Sequence, residues 1–288
     1  MKPAPFDYHV VESRLSALAL LTELSPEARI LAGGQSLIPE LNTRQRILKH
    51  VIDINAVEEF KQIDFCDDEL TIGAIVRQAD LEHNQRVRQD YSYLPDLLAL
   101  IASDPIKHRG TLVGSVAHGD PSAELPALAV CLNATIHLES QSTQRVIRAR
   151  DFYTAPFSTA AAATELITRI RFPRLAANQH LGVAETQRRH NGVAIAGAIC
   201  CVTVAESFHE VLATVYATGH PPVSQDLTTE FSALSINDRV EIEAAAKAAM
   251  NSLRFTGDVL ASADYRRHAC GVLLNRAIAD ACLRAQNA

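Results

Sequence analysis

Two adjacent glycines, Gly33 and Gly34, interrupt the chain between an apolar run (Ile30, Leu31, Ala32) and a polar pair (Gln35, Ser36) that leads into Leu37, Pro39 and Leu41. Without Cβ atoms, both glycines are free to adopt positive φ and to let a second backbone or a ligand approach closely. Such a pair ends a strand in a tight turn, and most glycine pairs do no more than that. Successive N–H groups in a turn of this kind can also converge on an anion. A second stretch of the same character, Arg109-Gly110-Thr111-Leu112-Val113-Gly114-Ser115, lies roughly 80 positions on. Each follows apolar residues, and each can aim N–H groups at phosphate oxygens. A ligand with two phosphates can be held from both sides, which favours a dinucleotide-type cofactor over a mononucleotide.

The flanking pattern is that of a mixed α/β chain. Strands are expected at Tyr8–Val11, Arg29–Ala32, Val51–Ile54 and Glu69–Gly73, with a helix between the first two. Ser13 can cap that helix, Leu15, Leu18 and Leu21 fall on one face, and Ser25-Pro26 stops it. A short helical turn is expected at Ala79–His83 and a helix at Leu94–Ala102, closed by Asp104-Pro105. The small-residue stretch 106–121 is expected to be a loop. It leads into a helix from Ser122 with Glu124 in its first turn, where a carboxylate suits the helix N-terminus. Further strands are expected at Ala134–Glu139, Gln144–Ala149, Leu166–Phe172, Val193–Ala205 and Val211–Thr218. A composition shift at Arg174–His180 suggests a domain boundary, and helices over Asn237–Leu253 and Ser262–Gln286 close the chain. The β-α-β-β order marks a mixed α/β domain.

At 288 residues the chain can bury a sizeable core, and its net charge of −6 offers no basic surface to nucleic acid or an anionic membrane. The N-terminus lacks the apolar core of a signal peptide, and the longest charge-free apolar run, Gly192 to Ala205, is too short to span a bilayer. These features lead to the expectation of a cytoplasmic protein with no membrane insertion. Six cysteines show neither C-x-x-C pairing nor zinc spacing, so the chain is expected to hold no metal or iron–sulfur cluster of its own. Ser115, His118 and Asp120 supply the residue types of a hydrolase triad, but three such residues within one glycine-rich loop more often serve backbone donors or a ligand. Neither G-x-G-x-x-G nor G-x-x-x-x-G-K-[ST] occurs.

The two stretches together, Ala32-Gly33-Gly34-Gln35-Ser36-Leu37 and Arg109-Gly110-Thr111…Gly114-Ser115…Asp120-Pro121…Glu124-Leu125-Pro126-Ala127, resemble the flavin-binding motifs of the medium subunit of molybdenum hydroxylases. This is the family of carbon monoxide dehydrogenase and xanthine dehydrogenase. The resemblance extends through Glu165-Leu166-Ile167…Pro173 to Asp264-Tyr265-Arg266-Arg267-His268, near the start of the last helix. It implies an α+β fold, with a two-lobed FAD-binding domain of the p-cresol methylhydroxylase type over 1–175. A small C-terminal domain, a three-stranded sheet with helices, would cover 176–288. By the same resemblance, Leu31, Ala32, Gly33, Gly34, Gln35, Ser36, Leu37, Thr111, Gly114, Ser115, Asp120 and Glu124 are the expected cofactor-binding residues.

The resemblance further implies a division of labour. A molybdopterin-containing large subunit oxidises substrate, a small subunit with 2Fe–2S iron–sulfur clusters relays electrons, and this subunit passes them through FAD to a small-molecule acceptor. Four positions depart from the family pattern. Val113 stands where the family has glycine, and as a loop residue it would crowd a phosphate, so Val113→Gly is expected to tighten FAD. In Gln187–Ala194, Gly192 and Val193 replace an acidic and an aromatic residue, and Ala184-Glu185 lies where a lysine is often found. These departures leave a second function open, a stand-alone flavoprotein, or a flavin-free descendant, that binds a small organic substrate directly.

Overall fold

The computed structural model describes residues 2–66, 68–204 and 207–287. Ser13 caps α1 (Arg14–Leu24), which follows β1 (Asp7–Val10): its hydroxyl accepts from Ser16 N at 3.1 Å while Ser16 Oγ accepts from Ser13 N, a reciprocal pair that satisfies two free donors of the first turn. Pro26 lies just past the helix end, as expected. β2 (Ala28–Leu31) then runs into the first glycine turn, and α2 (Leu37–Asn42) leads on to β3 (His50–Asp53). β3 lies between β1 and β2 and is parallel to both.

Next come β4 (Ile63–Cys66) and β5 (Glu69–Gly73), then the short helices α3 (Gln78–His83), α4 (Gln85–Asp90), α5 (Tyr93–Leu98), α6 (Asp104–Lys107), α7 (Leu112–His118) and α8 (Glu124–Cys131). Strands β6 (Thr135–Glu139), β7 (Gln144–Arg148), the small hairpin β8 (Tyr153–Ala155) with β9 (Ser158–Thr159), and β10 (Leu166–Pro173) follow. An antiparallel sheet of order β4-β5-β10-β6-β7 places β10 at its centre. Two expectations change here. The helix over Leu94–Ala102 is shorter: past Leu98 the chain tightens to bonds from Leu100 N to Leu97 O and from Ile101 N to Leu98 O, Ala102 takes a φ of 41°, and Pro105, in the first turn of α6, opens a helix rather than ending one. The stretch expected to be a loop after Gly110 holds a full helix, α7.

The last third is a sequential antiparallel sheet, β11 (Gln179–Gln187), β12 (Ala194–Val204), β13 (Phe208–Tyr216) and β14 (Val223–Asp226), followed by α9 (Thr228–Phe231), α10 (Arg239–Ala249) and α11 (Ala263–Gln286). This sheet has four strands where three were expected, β14 adding a short edge. The expected end of the fourth-from-last run at Ala205 lies outside the described residues. β12 is apolar from Ala194 to Val202 because both its faces are covered. Ile199 and Cys201 join the core shared with β5, β6 and β10, while Ala196, Ala198, Cys200 and Val202 face α10 and α11. α11 lies directly on β11: a Cβ added at Gly182 would sit 1.9 Å from Ala277 O. No helix among the described residues is long and apolar enough to cross a membrane.

Candidate functional site

β2 and the parallel β3 fix where the first glycine turn leaves the sheet. Gly34 has a φ of 74°, a backbone state that side chains disfavour. Gly33 has a different reason to be glycine. A Cβ there would lie 2.5 Å from Arg109 O and 2.9 Å from both Gly110 Cα and Thr111 N, so the two glycine stretches meet backbone to backbone. Past the turn, Ile38 N donates to Gly34 O at 3.1 Å and starts α2. Among the described residues, the N–H groups of Gly33, Gly34, Gln35, Ser36 and Leu37 meet no protein acceptor. Ser36 stands at the N-cap of α2 with its side chain uncommitted to the helix.

On the second stretch, Thr111 caps α7. Its Oγ1 accepts from Gly114 N at 3.0 Å, and a Cβ on Gly114 would fall 2.4 Å from that oxygen, so the cap itself requires glycine. Ser115 N is taken up by Thr111 O. Val113 is helical and only 3% exposed, with its side chain in the core. The expectation that Val113 would need positive φ and crowd a phosphate is therefore overturned, because its side chain points into the protein. α7 ends at Gly119, φ 66°, and Asp120 Oδ1 then accepts from Ser122 N at 2.8 Å to shape the turn into α8. His118 does not face Ser115: its Nδ1 is 3.9 Å from Glu40 Oε1 on α2, and its ring packs edge-on against Phe157.

Glu124 opens α8 and is 7% exposed, and its carboxyl is met by its own backbone N–H. Burial, reinforced by the nearby Glu185 carboxylate, pushes its pKa up to about 8. Glu185, on β11, accepts from Tyr216 Oη at 2.7 Å and from Gln187 Nε2. Tyr216 is fixed in turn by Gly197, where a Cβ would stand 2.1 Å from the ring carbon Cζ. Burial, and then the two carboxylates, raise the Tyr216 phenol well above its ordinary value. Ala217 N donates to Pro121 O at 2.7 Å and ties the end of β13 to the turn before α8. The β11–β12 hairpin carries Gly192 and Val193, the latter 63% exposed.

The structure thus brings residues 32–37 and 109–115 together and places Glu124 at the meeting of α8 with the C-terminal sheet. The sequence reading missed Asn55 and Arg77, which bond to both glycine stretches, and Tyr216, which partners Glu185. These pairs are far apart in the chain, and no local spacing announces them.

A glycine turn after a parallel strand, free N–H groups and a backbone-to-backbone contact with a capped helix are features of a site that can take an anionic group. Residues 4–175 match the family described as FAD binding domain in molybdopterin dehydrogenase. The chain belongs to this family and is an FAD-dependent oxidoreductase subunit of the molybdenum hydroxylase type. It is 34% identical to the 6-hydroxypseudooxynicotine dehydrogenase complex subunit alpha of Paenarthrobacter nicotinovorans, over 99% of this chain and 97% of that one. It is 31% identical to the carbon monoxide dehydrogenase medium chain of Afipia carboxidovorans over the full length of both. Its fold superposes on a chain of quinoline 2-oxidoreductase from Pseudomonas putida 86 with a TM-score of 0.93, 28% identity and 99% of each chain covered.

Proposed function

We propose that the chain passes electrons from 2Fe–2S clusters of a small partner subunit, through FAD, to a small-molecule acceptor, while a molybdopterin-containing large subunit oxidises the substrate. FAD would be held by Leu31, Ala32, Gly33, Gly34, Gln35, Ser36 and Leu37 from one side and by Thr111, Gly114 and Ser115 from the other, with Asp120 and Glu124 beside them. The observation that carries this reading is the contact of Gly33 with Arg109–Thr111, because it sets the free N–H groups of residues 33–37 beside the start of α7. The free N–H groups of residues 33–37 fit a diphosphate, whose oxygens are strong acceptors.

Bound FAD supplies the exchange between two-electron and one-electron chemistry. The protein's part is to bind and orient it and to keep the surrounding protons in place. Asp120 accepts from Ser122 N and so shapes the turn that leads into α8. Glu124, protonated at neutral pH, presents a hydrogen-bond donor rather than a second negative charge.

The test is to purify the chain from cells that make its natural companions, without denaturation, and to record both the flavin absorption and the accompanying polypeptides. The proposal expects a flavin band, a molybdopterin-containing and an iron–sulfur polypeptide in the same peak, and bleaching of the flavin once the clusters are reduced. A flavin-bearing chain that purifies alone would instead favour direct action on a small organic substrate. Failure to take up FAD in excess would remove the electron-transfer role.

A further inference from the structure

One side-chain bridge links the two glycine stretches and is used by nothing described above. Asn55, just past β3, donates from Nδ2 to Ala32 O at 2.9 Å. Its Oδ1 accepts from Arg77 Nη2 at 2.5 Å, and the other arm of that guanidinium, Nη1, donates to Arg109 O at 2.6 Å. The bridge therefore runs from Ala32 O through Asn55 and Arg77 to Arg109 O. Its ends flank the place where Gly33 touches Arg109, Gly110 and Thr111. Only one orientation of the Asn55 amide serves all its neighbours. Its nitrogen faces two acceptors, Ala32 O and Asp53 Oδ1, and its oxygen faces a donor. Asp53 Oδ1 also accepts from Asn55 N at 2.8 Å, which locks the side chain in place. Beside the bridge, Gln78 N donates to Gly110 O at 2.9 Å and Arg77 pairs with Thr111 in an antiparallel bridge, so the backbone carrying Arg77 is itself fixed to the second stretch.

Burial and the nearby Arg109 guanidinium both work against a charge on Arg77. A cation kept half-buried beside another cation needs good acceptors, and here these are a carbonyl of one stretch and an amide anchored to the other. The two arms of arginine are held apart in a rigid plane, so this side chain sets a distance as well as supplying a charge.

We propose that Asn55 and Arg77 are positioning residues for the cofactor: together they fix the separation of the two glycine stretches and so set the affinity of the chain for the diphosphate. This rests on the reading that residues 33–37 and 111–115 hold that diphosphate.

The experiment titrates the flavin-free full chain with FAD and, separately, with ADP, which carries the diphosphate but no flavin ring. The variants are Arg77→Gln, Arg77→Lys and Asn55→Ala, with Gly34→Val as a control on the turn itself. The thermal midpoint of each flavin-free variant reports on folding, and Asn55→Ala carries the test if the Arg77 variants do not fold. The expected result is a rise in Kd of about ten- to a hundredfold for all three bridge variants, by the same factor for FAD and ADP, as for loss of a charge-assisted hydrogen bond. Wild-type affinity in Arg77→Lys would show that charge, not the bridge, matters, and would overturn the inference. So would a loss confined to FAD. Gly34→Val losing both ligands while the bridge variants keep them would overturn the inference alone. Gly34→Val binding both normally would overturn the assignment of the turn, and the inference with it.

Discussion

Gly33 and Gly34 stand side by side for different physical reasons, and substitution separates them. At Gly34 the demand is conformational: a φ of 74° costs a branched side chain about 1–2 kcal/mol. At Gly33 it is steric, since the clashing atoms are backbone atoms of Arg109, Gly110 and Thr111, which cannot rotate away. Gly33→Ala is accordingly expected to push the two stretches apart and to lower FAD affinity by at least about tenfold, an effect of roughly 1.4 kcal/mol. Fluorescence titration checks this, and unchanged affinity would show that the contact is not needed for binding. Glu124 makes a prediction of a different kind. Its carboxyl holds a proton up to a pH of about 8 when folded, against an ordinary value of 4.5. The folded state thus binds more protons than the unfolded chain between those values. The stability from this group is full below the lower value and is lost as pH rises towards the higher. Denaturant unfolding of the flavin-free chain should show Glu124→Gln with a flatter decline from pH about 5 to about 8 than wild type.

The elements vary in how plainly the sequence announces them. β5 spans the residues expected of it, and Ser13 and Ser262 cap α1 and α11 as their sequence context predicts. These cases rest on local chemistry, a hydroxyl at an N-cap or a strand bounded by turn residues. α7 is announced less plainly. Val113, Gly114 and Ser115 in its first turns have low intrinsic helix preference, and the helix is held by the Thr111 cap and by burial of Leu112, Val113 and Val116. β11 was illegible for a related reason. Polar and apolar residues mix along it because it is half-buried, and Gly182 is explained only by α11 lying on it. The candidate site was legible in its glycines and in Glu124, but not in Asn55 and Arg77, whose partners lie more than 20 positions away. The changed reading of Val113 reverses the expectation for Val113→Gly. Losing a buried valine side chain and placing a second glycine in the helix should destabilise the chain by about 2–4 kcal/mol. Thermal unfolding measures this, and a gain in FAD affinity without loss of stability would contradict it.

Across the whole molecule, the parts before and after Pro173 share one core. Leu181, Ala194, Ile199, Cys201, Tyr216 and Ala217 pack into the cluster built from β3, β5, β6, β10 and α8. α8 is buried at every residue and packs against β12, β13 and β14, which explains its apolar character all round. This shared core predicts a single cooperative transition when the chain is unfolded by denaturant, with the same midpoint by fluorescence and by circular dichroism. Two separated transitions would mean that the C-terminal sheet folds on its own.

The same arrangement places Glu185 and Tyr216, from the C-terminal sheet, beside Glu124 from α8, a buried polar group at the seam itself. The central claim concerns the two glycine stretches, and a crystal structure of the chain with FAD tests it most directly. The account predicts the diphosphate within hydrogen-bonding distance of N–H groups from both 33–37 and 111–115. A diphosphate held by only one stretch, or bound elsewhere on the chain, would contradict it.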